Sequence, residues 1–89
     1  MERRLRTIVP TDTFTRQFAA LRAKHPRLDE FMDGVRFVLE RDPSEGYQWG
    51  TVWVLSSVGM ALDLPLVSVF YTFDEESVRL HSIIEIALM

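Results

Sequence analysis

A chain of 89 residues with 47% hydrophobic and 26% charged side chains has the size and composition of one globular domain, which excludes an intrinsically disordered polymer. It holds no cysteine, so disulfides, thiolate metal sites and cysteine nucleophiles are all excluded. Its net charge of −3 is not the basic excess carried by a dedicated nucleic-acid binder.

That total hides an asymmetry. Residues 1–41 carry nine basic and six acidic side chains, a balance of +3, whereas residues 42–89 carry one basic residue, Arg79, against seven acids, a balance of −6. Only the first half could offer phosphate a basic surface. The longest stretch free of charge, residues 46–62, contains glycines and polar residues and is too short to span a bilayer as a helix. The amino-terminal residues MERRLRTIVP have no apolar run of signal-peptide length. The expectation is a single soluble, cytoplasmic domain over residues 1–89, with no membrane partner.

Residues 4–9 alternate and include Ile8 and Val9, which predicts a short strand ended by Pro10. Thr11 or Asp12 can cap a following helix, on which Phe14, Phe18 and Leu21 form one apolar stripe. Lys24 and His25 lie in its last turn and Pro26 closes it. Pro26 is also suited to open a second helix, where Leu28, Phe31, Met32, Val35, Val38 and Leu39 share one arc of the helical wheel. So short a connection predicts an antiparallel helical hairpin. The run DPSEG, residues 42–46, ends the second helix.

The period then changes. Residues 47–55, rich in Tyr, Trp, Thr and Val, predict one strand, residues 56–64 a loop, and residues 66–73 (LVSVFYTF) a strong strand. Residues 74–77 form an acidic turn, and residues 78–87 (VRLHSIIEIA) the last strand. The order β-α-α-β-β-β predicts an α+β fold, a helical hairpin packed on an antiparallel sheet.

Three segments together carry a resemblance: FTRQFAALRAKHP after a first strand, a second helix ending LERDPSEG, and LVSVFYTFDEE followed by VRLHSIIEIA. In this order the chain resembles the RelE/ParE superfamily of bacterial type II toxin–antitoxin toxins. The resemblance implies a cognate antitoxin protein as partner. It also implies a target, either the ribosome with its mRNA, which RelE-like toxins cleave, or DNA gyrase, which ParE-like toxins bind without cutting. A homodimer stays open, and no cofactor is expected. The residues depart from the nuclease pattern. Leu64 and Pro65 stand where the family often has Arg, the tail IIEIALM has no Arg, His or Tyr, and residues 47–55 have no Lys or Arg.

Pairing the last two strands with Phe73 opposite Val78 divides their side chains between two faces. One collects Val67, Val69, Tyr71, Phe73, Val78, Leu80, Ser82 and Ile84 and should pack on the helices. The other collects Leu66, Ser68, Phe70, Thr72, Arg79, His81, Ile83 and Glu85. The candidate catalytic residues are Arg79, suited to holding phosphate, His81, suited to moving protons, and Tyr71 as a proton donor. Against them, Leu66, Phe70 and Ile83 make the outer face apolar and better suited to protein than to RNA, with Phe37 on the second helix as a further contact. Trp49 and Trp53 suit the core, an interface or a base-stacking platform, and the core is the expectation for both. With two His and no Cys, no metal site is expected. These readings favour a toxin-like protein acting by contact over efficient catalysis. A catalytically silent module of the same fold is the alternative, and an unrelated small α+β binding domain is a third reading.

Overall fold

The computed structural model describes residues 4–57 and 66–86. Most of the loop expected at 56–64, the Leu64–Pro65 position and the end of the tail lie outside the described residues.

Strand β1 (Thr7–Pro10) leads into helix α1 (Asp12–Lys24) and then helix α2 (Leu28–Arg41). A 3₁₀ turn (Pro43–Glu45) precedes β2 (Tyr47–Trp49), β3 (Val52–Ser56), β4 (Val67–Phe73) and β5 (Ser77–Glu85). The protein is therefore α+β, two helices on a five-stranded sheet of order β1-β5-β4-β3-β2.

Local chemistry explains the helices. The Thr11 hydroxyl accepts the Phe14 N–H at 3.2 Å and so satisfies one of the free donors at the start of α1. The His25 N–H donates to the Leu21 carbonyl and closes the other end. α2 begins two residues after Pro26 rather than on it, with no side-chain cap. Its strength is its stripe: Leu28, Phe31, Met32, Val35 and Leu39 are all buried against the sheet. Each such side chain contributes about 1.5–3 kcal/mol over an exposed one.

Two expectations about the sheet are corrected. The single strand expected at 47–55 is a hairpin, because the chain reverses at Gly50 and Thr51 between Trp49 and its partner Val52. Gly50 has φ +65°, the left-handed conformation that glycine adopts most readily at the first position of a two-residue hairpin loop. The sheet is also mixed rather than antiparallel. β2 to β5 form an antiparallel meander, but β1 runs parallel to β5, with Ile8 beside Val78 and Pro10 beside Leu80. The two strands are separated by nearly the whole chain, so no tight turn forces them antiparallel.

The expected pairing of Phe73 with Val78 is present. It carries through Tyr71 and Leu80 and then slips by one residue, so that Phe70 faces Ser82 and Val69 faces Ile83. His81 is the extra residue of this β-bulge. α1 supports the bulged segment. The Thr11 N–H donates to the Leu80 carbonyl (3.0 Å), the Thr11 hydroxyl donates to the His81 carbonyl (3.2 Å), and the Ile83 N–H donates to Gln17 Oε1 (3.0 Å). These bonds satisfy β5 where β1 has already ended.

Because side chains alternate, the slip exchanges the faces of everything beyond the bulge. Ile83, expected outside as a protein-contact residue, is 1% exposed in the core, and Ile84 is 48% exposed instead. Glu85 is likewise not grouped with Arg79 and His81. It reaches the end of α1, where His25 Nε2 lies 2.7 Å from Glu85 Oε2.

Candidate functional site

The helices cover the face of the sheet formed by Val67, Val69, Tyr71, Val78, Leu80 and Ile83. Register places two rows on the opposite face: Tyr47, Val54, Phe70 and Ser82 in one, and Trp49, Val52, Thr72 and Arg79 in the other. Trp49 is 66% exposed and Tyr47 60% exposed. The Trp49 ring lies 6.1 Å from the Phe70 ring and joins the rows. Ile84 extends the apolar surface along β5.

Arg79 and His81 are the cationic or ionisable basic side chains of this face among the described residues. Arg79 is exposed and lies opposite Thr72, and its side chain makes no ion pair or hydrogen bond among the described residues. His81 Nε2 is 2.7 Å from Thr72 Oγ1. A shallow cavity of about 140 Å³ beside them is lined by Thr72, Phe73, Asp74, Ser77 and Arg79. The Asp74 carboxylate is turned into its own loop, where Oδ1 accepts the N–H groups of Glu76 and Ser77, both at 2.8 Å. Those two bonds hold its carboxyl below the usual carboxylate range.

Tyr71 does not join this group. It is fully buried on the helix side of the sheet, and its hydroxyl donates to the Pro43 carbonyl at 2.5 Å. Burial pushes its ionisation up to about 12, which leaves it a structural anchor rather than a proton source for the outer face. Gly46 makes room for that hydroxyl, since a Cβ there would collide with Tyr71 Oη and lie 2.5 Å from the Val54 carbonyl.

The contact candidates separate in the same way. Phe70 lies on the outer face, partly buried beneath Trp49. Leu66 is partly buried just before β4, and its carbonyl accepts the Ile86 N–H at 2.7 Å. Phe37 is 59% exposed, but it sits on the helical layer, away from the outer face, with the Arg41 guanidinium 3.7 Å over its ring. Trp53 packs against the core beside Phe73, as expected, whereas Trp49 is corrected from core to surface. Tyr47, Val52 and Ile84 were not singled out as contacts by sequence, and Trp49, for which an interface was one alternative, was assigned to the core. The missing signal was the position of β2 at the sheet edge, which no local pattern encodes.

A second groove of about 260 Å³ lies between the helices, with Phe14, Phe18 and Met32 as its floor and Arg22, Asp29, Asp33 and Arg36 at its rim. Arg22 and Asp29 pair across it at 3.7 Å. Among the described residues no three His, Cys, Asp or Glu side chains gather to hold a metal, and no helix is long and apolar enough to cross a membrane.

Comparison with known proteins returns no match to a family model, a curated protein or a solved structure.

Proposed function

We propose that this chain is a toxin-like component of a type II toxin–antitoxin pair that acts by protein contact through the outer face of its sheet. The observation that carries the proposal is the composition of that face: Tyr47, Trp49, Val52, Phe70 and Ile84 share it with one guanidinium and one imidazole. A site that cleaves RNA stabilises charge developing on phosphate with several preorganised cations. Here a single exposed Arg79 stands near Asp74, and the one buried phenol faces the other way. Exposed aromatic side chains beside apolar neighbours are the composition of protein–protein contact. The RelE/ParE setting rests on chain order: a strand, two helices, and then consecutive strands ending in an aromatic hairpin with an acidic turn. The partners in that setting are an antitoxin and a target such as gyrase or the ribosome.

The test is induction of the chain in a bacterial host without its genomic neighbours, alongside a Trp49→Ser/Ile84→Ser double variant. Growth should stop with the wild type while messages stay intact, and the double variant, still folded, should relieve the arrest. Codon-positioned cleavage of messages would overturn the contact reading in favour of nuclease action. Undisturbed growth with the wild type would leave the alternative, a silent protein-binding module that uses the same face.

A further inference from the structure

The ionisable side chains of the proposed contact face, Arg79 and His81 among the described residues, lie at one place, and the backbone is shaped to create that place. Without the bulge at His81, alternation after Leu80 would turn Ser82 inward and Ile83 outward. With it, Arg79, His81 and Ser82 all lie on the outer side, and Ile83 returns to the core. The side chains of Thr11, which caps α1, and of Gln17 within it hold the backbone of this segment. Bulges recur where a side chain is re-aimed, and this one aims the His81 imidazole at Thr72.

We infer that Arg79 and Thr72, with His81 as positioning residue, form a seat for a single carboxylate carried on the partner's apolar surface. The inference rests on the contact reading and names what the partner must present. Arg79 lacks an ionic partner among the described residues, and a guanidinium brought into an apolar interface requires one. Thr72 lies opposite it in register, so both reach the same cavity. In the tautomer with its proton on Nε2, His81 donates to Thr72 Oγ1, and the hydroxyl hydrogen is left for a ligand oxygen. A guanidinium fork and a hydroxyl are donors matched to a carboxylate.

The surroundings limit the charge of the ligand. Asp74 lines the same cavity, its carboxylate held within the turn, and Glu75 and Glu76 follow. Arg6 approaches from β1's side, over the Phe73 ring at 5.7 Å, and is bound to the Asp74 carbonyl. A polyanion such as RNA would meet this acidic rim along its length. A lone Asp or Glu among apolar neighbours meets Arg79 first.

The test uses the isotope-labelled protein alone and follows the Arg79 side-chain N–H and the Thr72, Ser77 and His81 amides by NMR. Sodium acetate supplies the carboxylate, sodium chloride controls for ionic strength, and inorganic phosphate supplies the competing anion. Acetate should give saturable shifts confined to these groups. Arg79→Gln should weaken binding at least about tenfold, and Thr72→Val should weaken it several-fold. Unchanged shifts elsewhere verify that each variant is folded. Equal responses to chloride and acetate, phosphate binding more than about tenfold tighter than acetate, or an unmoved Arg79 would each overturn the inference. Acetate needs no apolar partner, so its failure would leave the contact reading standing. Failure of the Trp49→Ser/Ile84→Ser variant to relieve arrest would remove that reading without touching the acetate result.

Discussion

The two faces of the sheet come from the same strands, yet one is closed by the helices and the other is open at its β2 edge and at Ile84, with Val54 and Ser68 buried between. On the closed face, Val67, Val69, Tyr71, Leu80 and Ile83 meet the apolar stripes of α1 and α2, and the deeply buried Tyr71 hydroxyl has its acceptor in Pro43. On the open face, residues of similar type stay accessible: Trp49 is 66%, Tyr47 60% and Ile84 48% exposed, although Val54 between them is buried. Side-chain chemistry therefore does not separate the faces. What separates them is the side on which the helices lie, together with the one-residue slip at His81 that decides which isoleucine goes where. The same substitution should accordingly have opposite consequences on the two sides.

The sharpest case is the Ile83–Ile84 pair. Ile83→Ala should cost about 2–4 kcal/mol of stability through lost burial and a residual cavity, whereas Ile84→Ala should stay within about 0.5 kcal/mol. Urea unfolding of both variants checks this, and equal losses would mean that β5 runs without its bulge.

Alkaline unfolding probes the closed face next. The folded state holds the Tyr71 proton to about 12 against an ordinary value of 10.0. The stabilisation is therefore complete below pH 10 and is lost as the pH rises from about 10 to 12, a fall of up to about 3 kcal/mol. In Tyr71→Phe this component should vanish, with a separate loss of about 1–2 kcal/mol at neutral pH from the missing hydrogen bond. A parent and variant falling in parallel between pH 10 and 12 would refute the assignment.

Gly46→Ala drives a methyl against the same hydroxyl and the Val54 carbonyl, and should cost about 1–3 kcal/mol. Thermal melting reads it, and combining it with Tyr71→Phe should cost less than the sum of the two. The smallest effect on this side belongs to Thr11→Ala. It removes both the cap of α1 and the bond to the His81 carbonyl, for about 1 kcal/mol, and should also broaden the His81 amide resonance.

Much of the closed face was legible because its signals are local. The stripes of α1 and α2 follow helical periodicity, Pro26 marks the joint between them, and the acidic turn fixes Phe73 opposite Val78. The open face was legible only in part. Arg79, His81, Phe70 and Thr72 follow from simple alternation and lie where it put them, but Thr72 acquires a role only once His81 is seen beside it. The bulge left no mark in LHSII, since no glycine or proline announces it and the side chains that hold it, Thr11 and Gln17, are distant in sequence. The hairpin at Gly50 was hidden inside a continuous run of strand-forming residues, and with it the edge position that exposes Trp49. Non-local causes account for both misses.

The contact reading is tested most directly by mapping new 5′ ends on messages in a reconstituted translation reaction to which the purified protein is added. The account predicts no ends beyond those of the untreated reaction, with wild-type protein and with His81→Ala alike. Ends that cluster at codon positions with the wild type and disappear with His81→Ala would show that the open face cuts RNA.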